Sequence, residues 1–492
     1  MLSEQTGDRR LHPSAVVFSA SSSLRASALP LVLAAVGASR SGRSWLVIAA
    51  VVLGATLLYS LLQYISFRYR FGAGELVVRK GVVFRSERHI PYARIQNLDV
   101  TQNVLHRLLG VLEVRVQTGR GTEPEAVLSA LGRGALDDMR ARVFAHRAAE
   151  LRADHVAAPA DRELLALSMR ELVIVGLVEL RGIAVIAAGL GVLWEVVIEP
   201  ALDTAAGQPH IIRILIAWFR GDVFDPRRLA VTISVAIVLI GGLSIMWAIV
   251  RLYGFRLLDH GDDLQAACGL FTRVTRTIPR RRIQTVTLRE GLLHRLFGRI
   301  AVEVATAGGG SGAGSGKGES ESTPIAPVLR PAALPALLVD VAPDLDLGAL
   351  VWQPLAARTT RRVFRRSAIC AAVLAGLSAF VVGVWAVAVF GGLVVLAALH
   401  ARVYARHARW ALDHTVVAFR HGWLWRNTTI ARLAKVQVVT LHESPFDRRA
   451  AMAQLRIDTA GATVAIPYLP RETALELHAR LTTAAAQTEF RW

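Results

Sequence analysis

Cysteine is nearly absent from this sequence: Cys268 and Cys370 are the two among 492 residues. Cys268 falls in a β-like stretch and Cys370 in an apolar run, so no disulfide framework is available and a reducing compartment is compatible. The spacings that carry chemistry are missing as well. There is no His-Glu-x-x-His, no Cys-x-x-Cys, no phosphate-cradling glycine loop and no nucleophile elbow. The run Gly308–Gly318 contains Gly-Lys but lacks the strand-to-helix context of a P-loop, and it reads as a flexible hairpin extension. His106 and His294 repeat at one place with no second ligand repeating beside them, which argues against metal. We therefore expect no enzyme, no catalytic residue, no metal and no cofactor.

Acidic residues are also in short supply, 38 against 57 basic ones, for a net charge of +19. A balance like this raises the prospect of nucleic acid. The basic residues, however, gather at the ends of apolar runs: Arg361, Arg362, Arg365 and Arg366 at one, Arg402, Arg406 and Arg409 at another. Such positions set orientation and attract anionic headgroups, so nucleic acid is not expected as a partner. The scarcity of lysine (three residues) reflects coding bias more than function.

What the chain has in abundance is apolar sequence, 53% of its residues, with a mean hydropathy of +0.41. The apolar residues bunch into runs while the charges lie between them. Trp45–Ile65 gives 21 residues with Gln63 as the strongly polar exception, and Leu229–Leu252 carries no charge before Arg251. Gly182–Ile198 is interrupted at Glu195, with Glu179 and Arg181 just before it. Ser367–Leu399 is 33 apolar and small residues flanked by arginine at both ends, which calls for a hairpin with both ends on one side. Ala26–Ala38 is short and holds Pro30; a cleaved signal peptide beginning at Arg9 and Arg10 competes with a first span there, and the pairing of the other blocks favours the span. The stretch 211–220 reads as an interfacial amphipathic helix. The expected class is a multi-pass α-helical membrane protein of the bacterial inner membrane, its N-terminus and soluble domains in the cytoplasm.

An internal repeat organises the rest. Gly81, Gly269 and Gly422 each stand 15 residues before a glutamine: Gln96, Gln284 and Gln437. A basic residue lies two before each glutamine (Arg94, Arg282, Lys435) and an arginine eleven after it (Arg107, Arg295, Arg448). Each glycine separates two apolar β-like runs, Leu76–Val78 and Val82–Phe84 in the first copy, as a tight hairpin needs. Period-2 alternation follows (Gln96, Leu98, Val100; Gln284, Val286, Leu288; Gln437, Val439, Leu441). Next comes a short helical turn striped with Leu105, Leu108 and Leu109, or Leu293, Leu296 and Phe297, closed by Gly110 or Gly298 in the left-handed region. Pro445 and Ala451 break that pattern in the third copy, where the helical turn is in doubt. A second alternating strand comes after it (Leu112, Val114, Val116; Ile300, Val302, Val304; Ala453, Leu455, Ile457), and then a terminal helix, clearest at 471–485. Strands closed by one helix suggest a small barrel. The division is 1–66, 156–253 and 351–404 for transmembrane pairs, and 67–155, 254–350 and 405–492 for the three β-rich domains.

The run Ile-Pro…Arg-Ile-Gln…Leu-His-Arg-Leu-(Leu/Phe)-Gly…Val-x-Val resembles the bacterial pleckstrin-homology-like (PH-like) domains of YdbS/YdbT-type membrane proteins. The resemblance covers essentially the whole chain, and it implies a PH-like barrel capped by a C-terminal helix and no catalytic activity. Candidate interaction or structural positions are the repeated polar residues Arg94, Gln96, Arg107, Arg282, Gln284, Arg295, Lys435, Gln437 and Arg448. The glutamines are either buried groups satisfying backbone at a bulge or ligand contacts. The arginines of the short turn either cap its carbonyls or meet lipid phosphate or a partner. The expected function is presentation of three PH-like domains for contact with a protein partner or an anionic lipid surface. A component of an export, efflux or antimicrobial-resistance system is the alternative.

Overall fold

The computed structural model describes residues 8–16, 18, 20, 44–81, 84–118, 125–151, 162–179, 226–307 and 322–487. Its first repeat contains β1 (Arg68–Phe71), β2 (Glu75–Lys80) and β3 (Ser86–Pro91), a 3-10 turn at Tyr92–Arg94, then β4 (Ile95–Gln102), β5 (Val111–Thr118) and β6 (Ala126–Gly132). The strand β7 (Arg162–Ala166) precedes the second repeat, which runs β8 (Arg256–Asp259), β9 (Asp263–Cys268), β10 (Arg273–Pro279), β11 (Ile283–Glu290), β12 (Ile300–Thr306) and β13 (Thr323–Leu329). The short β14 (Gln353–Pro354) precedes the third: β15 (Arg409–Leu412), β16 (Val416–His421), β17 (Arg426–Arg432), β18 (Val436–His442), β19 (Met452–Thr459) and β20 (Thr463–Pro470).

Helices complete the units. In chain order they are α1 (Ser44–Ser66), α2 (Val104–Leu108), α3 (Arg133–Leu151), α4 (Met169–Glu179), α5 (Pro226–Leu252), α6 (Leu292–Leu296), α7 (Leu334–Val341), α8 (Thr359–Val382), α9 (Ala386–His407), α10 (Pro445–Arg449) and α11 (Arg471–Gln487). In each repeat the third and fourth strands are joined by a 3-10 turn, the fourth and fifth by a short helix (α2, α6, α10), and a helix follows the sixth (α3, α7, α11).

The sheets do not respect the repeats. Each repeat splits into two half-sheets, and the second half of one joins the first half of the next. One seven-stranded sheet has the order β6-β5-β4-β10-β9-β8-β7 and the other β13-β12-β11-β17-β16-β15-β14. The outer halves stand alone as β1-β2-β3 and β18-β19-β20. Both junctions share one antiparallel register: Gln102 opposes Arg273, and Glu290 opposes Arg426. The strand before each helical segment also pairs with the strand after it, through β7·β8, β14·β15 and a lone bridge between Arg9 and Tyr69.

This continuity explains the run Val416–Phe419, buried throughout. Val416 and Ala418 pack with Ile283 and Val302 of the second repeat, whereas Val417 and Phe419 face Leu455 and Ile466 of their own. A sheet covered on both faces needs no polar alternation. The first repeat has its own core, with Leu76, Tyr92, Leu128 and Met139 at its centre.

The expected multi-pass α-helical class is overturned. The described residues form a β-rich chain of four sheets, and among them one helix, α9, is long and apolar enough to cross a membrane. Unbroken apolar sequence overstated the class because it does not reveal how much of a helix is given to charge. Ser367–Leu399, expected as a hairpin, is divided at a 3-10 turn, Gly383–Trp385, and α8 begins with Arg361, Arg362, Arg365 and Arg366. α5 opens with Arg227 and Arg228 and carries Arg251 in its last turn. Residues 26–38, 182–198, 211–220 and 308–318 lie outside the described residues. The helices pack as pairs: α8 lies along α9, and α4 along α5. A Cβ on Gly176 would fall 2.4 Å from Ile245 Cα, so only glycine permits this approach of α4 to α5.

Candidate interaction surface

The repeated polar residues occupy equivalent places in the three units. Arg94, Arg282 and Lys435 each end the 3-10 turn, and each glutamine follows within a β-bulge that shifts the pairing of β4, β11 or β18. Arg107, Arg295 and Arg448 are each the fourth residue of the short helix.

Their environments differ with the presence of a following repeat. Gln284 is 5% exposed, beneath the β19–β20 turn, where a Cβ on Gly461 would lie 3.2 Å from Gln284 Cγ. Gln437, on the edge strand β18 with no strand of another repeat beside it among the described residues, is exposed. The side chain of Gln96 lies outside the described ones. Arg295 donates to the carbonyls of Trp423 and, at 3.3 Å, Leu424, clamping its helix to the next repeat. Arg107 and Arg448 are exposed on their helices, as is Arg94 on its turn. Burial, with Arg432, Arg281 and Arg282 nearby, holds the Lys435 ammonium below the usual lysine range. The eight of these positions whose side chains are described thus lie at seams and rims distributed along the chain.

The repeated histidines are helix-end groups. His106 Nδ1 lies 2.6 Å from Asn103 Oδ1 and its Nε2 3.1 Å from the Ser129 carbonyl, with the Phe18 ring stacked at 3.7 Å. His294 Nδ1 accepts from the Gly291 N–H at 3.2 Å, and burial lowers the pKa of that imidazole. The doubted helical turn of the third repeat does form. Pro445 occupies a first-turn position where its missing N–H costs nothing, Ser444 and Asp447 form a capping box, and Ala451 takes the left-handed φ of 53°.

Two features of the hairpin turns and short helices depart from expectation. Among the described residues, the aromatic groups that follow each hairpin glycine lie outside the strands: Phe84 is in the turn, 89% exposed, and Phe271, Trp423 and Trp425 are exposed at the equivalent turns. The leucine stripes of α2 and α6 face outward, with Leu108 77% and Leu296 74% exposed. A period of i, i+3, i+4 says that one side is apolar but not what covers it. These groups collect where helices enter the sheets. The 269–272 turn meets the end of α5, the N–H of Leu270 donating to the Val250 carbonyl at 3.0 Å. A Cβ on Gly291 would lie 3.3 Å from Trp425 Cδ1, so the foot of α6 abuts the 422–425 turn.

At the first such rim a cleft of about 660 Å³ opens between the last turn of α1 (Leu62, Ile65, Ser66) and the β2–β3 turn. Arg68, Arg79, Lys80 and Arg85 line it with Asp8 and Glu87. Arg79 is taken up by Glu87 at 2.9 Å and Asp8 at 3.4 Å. Arg68 Nη1 is buried with no hydrogen-bond partner among the described residues. Three cations beside an apolar helix end and an exposed phenylalanine make an interface suited to an anionic group held at an apolar boundary. Sequence reasoning missed this cleft; the only signal was the aromatic residue recurring after Gly81, Gly269 and Gly422.

Half-sheets of three strands, bulged at a fixed glutamine and closed by a terminal helix, define a chain of PH-like units. Residues 28–146, 211–345 and 347–485 match the family model of the bacterial PH domain, and the chain belongs to that family. It is 24% identical over 417 residues to the UPF0699 transmembrane protein YdbT of Bacillus subtilis (strain 168), covering 81% of this chain and 82% of that protein. The resemblance to YdbT-type proteins is thereby shown. No solved structure matches.

Proposed function

We propose that this chain is a non-enzymatic, membrane-associated protein that holds its PH-like domains against the cytoplasmic face of the bacterial inner membrane, where they engage anionic lipid. The cleft carries this reading: Arg68, Lys80 and Arg85 stand beside Leu62 and Ile65, with Phe84 exposed next to them. Cations beside apolar anchors suit a phosphate-bearing headgroup whose chains lie in the adjoining hydrocarbon. The relative's designation as a transmembrane protein supports the membrane setting. An export or efflux pathway would need ionisable groups along the helices. Of Glu179, Arg181 and Glu195, the ionisable groups nearest the apolar run Gly182–Ile198, the described one is Glu179, and it is paired with Arg251 at 3.6 Å, which favours the surface reading.

The test uses the full chain in a neutral detergent. Short-chain phosphatidylglycerol should raise the Tm, short-chain phosphatidylcholine should not, and salt should diminish the effect. The combined change Arg68→Gln, Lys80→Gln and Arg85→Gln should remove the response while leaving the lipid-free Tm near that of wild type. Equal stabilisation by both lipids, or an undiminished response in the variant, refutes the proposal.

A further inference from the structure

The two internal junctions are one contact made twice. In each, the fourth strand of a repeat pairs antiparallel with the third strand of the next, β4 with β10 and β11 with β17. In each, the residue six after the repeat's glutamine opposes the arginine four after the next repeat's glycine: Gln102 with Arg273, and Glu290 with Arg426. At the second junction the opposed pair is also an ion pair, 3.2 Å from Arg426 Nη1 to Glu290 Oε2.

Among the described residues, β3 and β18 carry the two halves of this contact that are not used within the chain. The edge of β3 and the edge of β18 have no strand beside them among the described residues. Counting by the same rule, the residue six after Gln437 is Glu443 and the arginine four after Gly81 is Arg85. The charges therefore match those of Glu290 and Arg426. Val438, which stands where the second repeat has the buried Thr285, is 53% exposed. An apolar edge residue left open in this way is what strand edges ordinarily avoid, since it invites a further strand.

We infer that β18 of one copy of this chain pairs antiparallel with β3 of a second copy, in the register of the internal junctions, with Glu443 against Arg85. Glu443 meets Arg471 at 2.9 Å within its own repeat; an incoming Arg85 would share that carboxylate and be withdrawn from the cleft, so the copy–copy contact and anionic lipid are alternatives at Arg85. Glu87 and His89 of β3 fall where β17 has Thr428 and Ile430. They are already paired within the first repeat, Glu87 with Arg79 and His89 with Glu75, each at 2.9 Å. The contact is heterologous, so repetition gives a closed ring or an open filament.

Disulfide trapping on the full chain tests this, in a background with Cys268→Ser and Cys370→Ser. Residues opposed in an antiparallel pair have Cα atoms about 4.5–5.5 Å apart, within reach of a disulfide. Glu290→Cys with Arg426→Cys in one chain provides the positive control and should close intramolecularly. Glu443→Cys protein mixed with Arg85→Cys protein should give crosslinked heterodimers, while each variant alone gives none. A double variant, Glu443→Cys with Arg85→Cys, should give a ladder or one closed oligomer. Crosslinks within a single variant would mean a two-fold contact and would overturn the inference. So would the absence of mixed crosslinks when the control closes and both variants melt like the background protein.

Discussion

Arg362 Nε donates to Asp447 Oδ1 at 2.9 Å, which ties the first turns of α8 to the cap of α10 in the third repeat. The Arg362 guanidinium also lies 5.3 Å from the Phe446 ring centre. Burial works to raise the Asp447 carboxyl, but hydrogen bonds from Ser444 and Arg362 outweigh it and hold the group below the usual aspartate range. A carboxyl depressed in the folded state stabilises above its unfolded pKa, and the contribution is lost as pH falls through the folded value. Asp447→Asn should therefore cost on the order of 1–3 kcal/mol at neutral pH. Melting curves of both proteins should converge as pH drops below about 4. A gap that persists in acid would place the stabilisation elsewhere.

Much of this arrangement was legible in the sequence, and the limits have physical causes. Leu112, Val114 and Val116 alternate and are buried, and the matching residues of β12 and β19 behave alike, because a strand's period is intrinsic to its backbone. Gly81, Gly269 and Gly422 were legible as turn residues for a similar local reason. Which strand lies beside β4 was not, since pairing with β10 depends on residues far along the chain. The outward stripe of α2 was likewise hidden: its sequence specifies one apolar side, while its surroundings decide whether anything covers it. The cations of the cleft are dispersed from Arg68 to Arg85 and converge only when β1, β2 and the β2–β3 turn fold beside α1.

The glycines of the first-half turns are irreplaceable for steric reasons. At Gly269 φ is +117°, and a Cβ would fall 1.9 Å from the Thr272 carbonyl oxygen. Gly110 also has a positive φ, of +65°, but nothing lies within 4 Å of its Cβ position. Gly110→Ala should cost about 1–2 kcal/mol, the left-handed penalty alone. Gly269→Ala should add a backbone clash and cost on the order of 3 kcal/mol or more. Paired thermal melts of the two variants check the order, and equal losses would contradict it.

Ala451 holds the left-handed position that glycine fills in the other two repeats. Ala451→Gly should relieve strain and raise stability by roughly 1 kcal/mol, offset in part by the larger entropy of glycine in the unfolded chain. The outcome to look for is a small Tm increase, on the order of 1 °C for a chain of this size, with unchanged lipid response. A loss of stability would show that the Ala451 methyl makes contacts worth more than the strain.

Gln284 and Gln437 hold the same place in the repeat and the same bulge, yet one is buried and the other exposed. The difference lies in the neighbour. Gly461 approaches Gln284 because the third repeat's hairpin lies over the second repeat, and a Cβ there would come within 2.7 Å of the Thr306 carbonyl oxygen. Truncating Gln284 to alanine removes packing from this seam and should cost about 1 kcal/mol or more. The same change at Gln437 should stay within about 0.5 kcal/mol for the isolated copy, as an exposed substitution does. Under conditions where copies associate, the β18 edge becomes a seam of the same kind, and Gln437→Ala should then weaken association. Melts of both variants in dilute detergent, followed by light scattering at high protein concentration, separate the two effects. Equal losses at both positions in the dilute chain would mean that the bulge itself requires glutamine, whatever lies beside it.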